Sequence, residues 1–195
     1  MHVTVSGTFP AAIRHEVEAL VRAGFEGVAC DDVEAHVKAR AAKKRSYVAL
    51  YHHPGDRKPV RTRFIRKKDA EASARRFGGE VEVHAWAHPR AGGWSARSYD
   101  GVPGIARVTR GTQYLVTFNI PADPRRLTRY PVEHQDPRLK TSPVVTFRTW
   151  REQLLHIAAH EARHIHQFRH GLSRSELDAE RWAAAQLHAF CMQSR

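Results

Sequence analysis

Residues 156–184 read HIAAHEARHIHQFRHGLSRSELDAERWAA, with five histidines between His156 and His170, a glutamate directly after His160, and a glutamate-rich segment beyond Gly171. On a helix turning 100° per residue, His160 and His164 stand one turn apart on the same side, roughly 40° from one another. Leu154, Ile157, Ala158, Ile165 and Phe168 fall between about 60° and 160° on that scale, and Glu161, near 100°, projects from the middle of this apolar stripe. A carboxylate in an apolar face costs several kcal/mol unless it is paired or protonated. A helix that only packs has no use for one there. Two imidazoles at i and i+4 bind one Zn²⁺, and the glutamate between them then lies beside the metal's water as a proton acceptor. The HExxH pattern His160-Glu161-Ala162-Arg163-His164 thus makes His160 and His164 candidate zinc ligands and Glu161 the candidate general base. A second His-Glu pair, His15-Glu16, has no histidine at the required spacing.

Two residues compete for the third ligand position. His170 lies six residues after His164, but Gln167 stands where the metzincin pattern HExxHxxGxxH has its turning glycine. A helix continued through Gln167 points His170 to about 280°, away from the metal. Glu176 follows Gly171, which suits the residue that ends a helix, and it heads an antiparallel partner helix with Glu180 one turn below. A carboxylate presented this way completes a His₂Glu site with one position left for water. Ser173-Arg174-Ser175-Glu176 also reads as a capping box, and Ser175-Glu176-Leu177-Asp178 as a second, shifted one.

His160 to Ala183 resembles the gluzincin type of zinc metallopeptidase, in which HExxH is followed on the next helix by a pattern close to E-x-x-A-(D/E/N)-x-x-A. Glu176-Leu177-Asp178-Ala179-Glu180-Arg181-Trp182-Ala183 matches it position by position, and the short gap between the helices is like that of the compact minigluzincins. The resemblance covers about 30 residues. It implies His160, His164 and Glu176 as zinc ligands, Glu161 as general base, Glu180 as a carboxylate orienting a ligand histidine, and hydrolysis of a peptide or protein substrate. It also implies a small sheet before the active helix, with an extended substrate along the edge strand. Gln113 to Ile120 (QYLVTFNI) is the candidate for that strand.

Upstream, His2 to Ser6 alternates like a strand and Pro10 opens a helix closed near Gly24. Asp31-Asp32 reads as the start of a second helix toward Lys43, Tyr47 to Tyr51 as a strand, and Asp69 to Phe77 as a third helix. Val81 to Ala87 and Ile105 to Thr109 read as further strands. Residues 121–143 hold five of the ten prolines and read as a long loop, a candidate lid carrying Tyr130 and His134 as possible oxyanion stabilisers. His84, Trp86 and His88 fall on one strand face, and His52-His53 precedes a turn. From Trp150 on, the chain reads helical with one break at Gly171. The expected architecture is α+β and zincin-like: a small mixed or antiparallel sheet packed on the HExxH helix, with a following C-terminal helix. An α/β N-terminal region of unassigned role (1–79) precedes the metallopeptidase domain (80–195), unless the two form one continuous domain.

The 195 residues carry 32 Lys and Arg against 20 Asp and Glu, a formal charge of +12. Such an excess favours an acidic partner such as nucleic acid, although no single block concentrates it strongly. The densest patches are Lys43-Lys44-Arg45 and Arg61 to Lys68. Cys30 and Cys191 alone make neither a disulfide framework nor a thiolate metal site and suit a reducing compartment. No signal peptide or membrane span is legible, so a cytoplasmic protein without a membrane partner is expected. Three further readings stay open: a DNA-associated protease of the SprT/Spartan type using His170, a basic nucleic-acid-binding protein with a coincidental HExxH, and a closed structural zinc site with His156 or His166 as fourth ligand.

Overall fold

The computed structural model describes residues 1–7, 9–40, 43–52, 58–64, 66–87, 93–104 and 106–193. Its elements run β1 (His2–Ser6), α1 (Ala11–Gly24), β2 (Val33–Arg40), β3 (Lys43–Tyr51), β4 (Val60–Phe64), α2 (Lys67–Phe77), β5 (Glu80–Ala87), β6 (Ser95–Asp100), β7 (Tyr114–Pro121), α3 (Pro124–Leu127), β8 (Val132–His134), β9 (Val145–Phe147), α4 (Trp150–Arg169) and α5 (Glu176–Gln193). The fold is mixed α+β. No helix among the described residues is long and apolar enough to cross a membrane.

The chain divides into two compact units, residues 1–40 with 92–195, and residues 41–91. The boundary expected at 79/80 instead passes through the second unit, between α2 and β5. The reason is long-range pairing: β2 is joined in parallel to β7, some eighty residues downstream, and this draws both chain ends into one unit. The smaller unit is an antiparallel sheet in the order β4-β3-β5 with α2 packed on it, and Tyr51 stacks on Phe77 at 4.7 Å between ring centres. It holds 13 Lys and Arg against 5 Asp and Glu, so it carries most of the net charge of the chain.

The larger unit is a four-stranded sheet in the order β1-β2-β7-β6, parallel except for the antiparallel edge strand β6. The segment after Asp31-Asp32 is therefore β2 and not a helix. Its Glu, Ala and Lys suit helices, but Val33, Ala35 and Val37 alternate into the core, and burial on the sheet overrides intrinsic propensity. Val116, Phe118 and Ile120 of β7 face the same way. Helices α1 and α4 cover this side through Ile13, Val17, Val21, Leu154, Ala158 and Ile165. QYLVTFNI is an interior strand between β2 and β6, not the edge strand expected, and the edges of this sheet are β1 and β6. Ala106–Thr109 is not a strand, and Ile105 lies outside the described residues. Two strands, β4 and β6, have no clear sequence signal: VRTRF reads as a charged patch and SARSYD as polar.

Glu34, on β2 and almost fully buried, ties down the segment before β7. The amide of Thr109 donates to it at 2.7 Å, the Thr112 hydroxyl at 3.3 Å, and a ring nitrogen of His36 lies 2.6 Å away. Burial alone would raise its pKa, but these bonds outweigh it and hold the carboxyl at about 2. A depressed carboxylate pKa contributes stability above the ordinary value of 4.5, and that contribution is lost as pH falls toward 2. Chemical denaturation across that window should show an acid-side loss that Glu34→Gln flattens, with about 1.5–3 kcal/mol lost at neutral pH.

Helices α1 and α4 meet at Gly24. A Cβ there would sit 2.4 Å from Ala158 Cβ and 2.9 Å from the Ala159 amide nitrogen. In an uncrowded helix Gly→Ala stabilises by up to about 1 kcal/mol. Here Gly24→Ala should instead cost about 1–3 kcal/mol by overpacking, seen as a lower Tm. An unchanged or higher Tm would mean the helices do not approach this closely.

Candidate metal centre

Local sequence sets both helices of the site. Thr149 caps α4 by accepting from the Glu152 amide at 3.3 Å, and the Glu152 carboxylate reaches back to the Arg148 amide at 2.6 Å. At the other end Gly171, at φ 62°, turns the chain left-handed. The Leu172 amide then donates to Gln167 O at 2.9 Å and the Gly171 amide to Phe168 O at 3.1 Å, closing a Schellman motif. Four residues later Ser175 opens α5, its hydroxyl accepting from the Asp178 amide at 3.3 Å. Of the two legible capping boxes only the hydroxyl half of the shifted one forms, because the Ser175 amide donates to Gln167 Oε1 instead of Asp178. The Glu176 carboxylate takes no part in the cap: its Oε1 accepts from Arg174 at 3.1 Å and its Oε2 turns toward α4.

The structure brings His160, His164 and Glu176 together. Their facing atoms are His160 Nε2, His164 Nε2 and Glu176 Oε2, separated by 3.0, 3.2 and 3.4 Å. The partners on the far side of each ring decide where the protons sit. Gln167 Oε1 accepts from the Ser175 amide at 3.2 Å, and its Nε2 donates to Ser175 O and to Asp178, so its orientation is fixed. His164 Nδ1, 2.9 Å from that same Oε1, must therefore carry the proton. His160 Nδ1 faces the carboxylate oxygen Glu180 Oε1 at 3.1 Å and is likewise the donor. Both Nε2 atoms are then bare in the neutral rings, and they converge with a carboxylate oxygen on one point without a donor among them. Such a cluster repels itself unless a cation occupies it. Ligands about 2.0–2.2 Å from a tetrahedral ion are roughly 3.3–3.6 Å apart; the 3.4 Å separation falls in that range and those of 3.0 and 3.2 Å are slightly shorter, so the three atoms are close enough to share one divalent ion.

The electrostatics of the isolated chain reflect the same crowding. Burial opposes charging of His160, but the Glu180 hydrogen bond and the charges of Glu161, Glu180 and Glu176 raise its pKa above the ordinary value. Burial lowers that of His164, as do His160 and Arg174, against the bond to Gln167. Glu176 and Glu180 would both be raised by burial, yet the facing histidines, with Arg174 for Glu176, hold both below the usual carboxylate range. The cluster of carboxylates thus favours positive charge at His160.

Glu161 is 5% exposed, and its Oε2 is buried with no hydrogen-bond partner. It lines a cleft of about 670 Å³ together with His134, His156, His160, Glu176 and the Trp94–Ala96 stretch leading into β6. His156, on the same helix, is pushed down to about 4 by burial and by the nearby His134 and His160, against the pull of Glu180.

His170 does not join the cluster. It caps α4, and its ring lies 4.4 Å from that of His166. Among the described residues, the groups of donors close enough to share an ion include neither histidine. Tyr130 turns its hydroxyl to Gln153 at 2.6 Å, and burial raises its pKa to about 12. His84 pairs with Glu82 in the smaller unit, the Trp86 side chain is not described, and His53 and His88 lie outside the described residues.

Sequence reasoning missed the role of Gln167. It stands where a glycine would turn the chain in the metzincin pattern, and is instead 1% exposed, joining His164 to the start of α5. A polar residue at helical spacing between Ile165 and Phe168 was the available signal. Arg163 makes a second clamp, pairing with Asp178 at 2.7 and 3.2 Å and lying over the Trp182 ring.

Comparison with protein-family models, with curated proteins and with solved structures finds no match to this chain.

Gln167→Met keeps the bulk but removes the acceptor that sets the His164 tautomer. It should weaken zinc binding by the apoprotein about 10- to 100-fold, measured by competition with a chromophoric chelator. An unchanged affinity would mean that Gln167 does not orient His164.

Proposed function

We propose that this protein is a zinc-dependent metallopeptidase of gluzincin-like architecture. The observation that carries the reading is the convergence of His160 Nε2, His164 Nε2 and Glu176 Oε2 within 3.4 Å, with both outer ring nitrogens committed as donors. Zn²⁺ held there would act as a Lewis acid on a substrate carbonyl and make a water more acidic. Glu161, with a buried and unpartnered carboxylate oxygen on the cleft wall, takes the proton of the attacking water and returns it to the leaving amine. Glu180 keeps His160 in the ligating tautomer, and Gln167 does the same for His164. An extended peptide would lie along β6, which pairs only with β7 among the described strands and whose start lines the cleft.

Zinc content and cleavage of a peptide library, measured on untagged protein, test this. Wild type should hold zinc at His160, His164 and Glu176 and cleave. Glu161→Gln should keep the metal and lose about 10²–10⁴ in rate, and His164→Gln should lose metal and activity together. Failure of wild type to take up zinc after it is added back would sink the reading.

One observation favours a nucleic-acid partner as well. The unit of residues 41–91 carries 13 basic against 5 acidic residues, with Lys68, Arg75 and Arg76 exposed on α2. Full-length protein should bind labelled duplex DNA with an affinity that falls linearly in log–log form as salt rises. A combined Lys68→Glu, Arg75→Glu, Arg76→Glu variant should bind at least tenfold more weakly with a shallower salt slope. Salt-independent or undetectable binding would remove this partner.

A further inference from the structure

We infer that His134, His156 and Glu180 form a second divalent-cation site in the wall of the same cleft, beyond the peptidase site and linked to it through one carboxylate. The three residues come from β8, α4 and α5, far apart in sequence. His134 Nε2 and His156 Nε2 lie 3.5 and 3.6 Å from Glu180 Oε2, and all three donor atoms lie within 4.8 Å of one another.

Hydrogen bonding alone accounts poorly for this arrangement. An N–H···O bond spans about 2.7–3.2 Å, and both contacts exceed that. They match instead the roughly 3.3–3.6 Å between neighbouring ligands of one four-coordinate ion. His156 supplies an independent observation. It is 2% exposed, and its Nε2 is buried without a hydrogen-bond partner while aimed at the Glu180 carboxylate. Native folds seldom leave such a nitrogen unsatisfied, and an ion or ordered water is the usual explanation. Its edge-on contacts with the rings of Phe147 and His134, at 5.2 and 5.5 Å, hold the imidazole in this direction.

Glu180 is used on both sides. Its Oε1 accepts from His160 Nδ1, and its Oε2 faces the second pair of histidines. The two sites would therefore communicate through one buried carboxylate and one imidazole without sharing a ligand atom. Two imidazoles and one carboxylate select a borderline ion, Zn²⁺ or Co²⁺, over Mg²⁺ or Ca²⁺, which prefer all-oxygen sites. His134, Asp136 and His156 all line the cleft, and His134 is 38% exposed, so an ion can enter and its remaining coordination positions can take water or a substrate group.

The test is a zinc titration of full-length, chelator-stripped, untagged protein at micromolar concentration, reading bound equivalents by competition with a chromophoric chelator and repeating with Co²⁺ to record its ligand-field bands. Wild type should take two equivalents. His134→Gln and His156→Gln should each take one and lose one set of cobalt bands, and His164→Gln should also take one but lose the other set. His134 is partly exposed, so His134→Gln decides the matter if His156→Gln fails to fold. One equivalent in wild type that is kept by His134→Gln and lost by His164→Gln overturns the second site and leaves the peptidase site standing. One equivalent lost by His134→Gln but kept by His164→Gln supports the second site and sinks the first. A second equivalent that survives in both His134→Gln and His156→Gln also overturns the inference.

Discussion

The Gln167 carboxamide is the interaction on which the rest of the site depends. One oxygen receives the Ser175 amide and the His164 ring, and one nitrogen donates to Ser175 O and Asp178, so a single side chain fixes where α5 begins and which nitrogen of His164 is bare. Had the group been free to flip, the Ser175 amide would face another donor in one of its two states. Burial at 1% exposure makes that state costly and leaves one orientation. Glu176 is the first residue of α5, and its place beside His160 and His164 follows from this helix start. Arg163, inside the HExxH pattern, reinforces it through Asp178.

Helix α4 is an unusual core element. His156, Glu161, His164 and Gln167 are all nearly or fully buried along a helix whose other buried residues are Leu, Ile, Ala and Trp. Burying so many polar groups is tolerated only where each finds a partner. His164 and Gln167 find theirs within the helical hairpin. His156 Nε2 and Glu161 Oε2 do not, and both residues border the same cleft. The unsatisfied groups thus collect at the cleft, with Glu161 beside the apolar residues through which α4 packs on α1 and the sheet. The stable part of the unit carries the reactive part.

Much of the candidate site was legible because it is local. His160, Glu161 and His164 lie within one and a half turns of a helix, and Glu176 is only a dozen residues on, past a glycine stop. Spacing, the stop at Gly171 and capping chemistry place such residues without knowledge of the distant chain. The strand and helix patterns that depend on local periodicity, β1, α1, α2 and the two C-terminal helices, were legible for the same reason. What was not legible depends on partners remote in sequence. The segment after Asp31-Asp32 has helix-favouring residues and becomes β2 because β1 and β7 flank it. The apolar QYLVTFNI run becomes an interior strand because polar SARSYD takes the edge outside it. Both of the densest basic patches were legible in the sequence, but only the fold made the segment that holds them, residues 41–91, a unit of its own.

The sequence by itself determined the helical hairpin and the identities of the residues that meet across it, because α-helical geometry is set within a few residues and the turn between the helices is short. Only the tertiary structure decided that β6 borders the cleft, that Gln167 selects the His164 tautomer, and that His134, at the end of β8 and 16 residues before α4, stands beside His156 and Glu180. These depend on the direction of side chains brought together from separate elements, and the packing that sets those directions has no period along the chain.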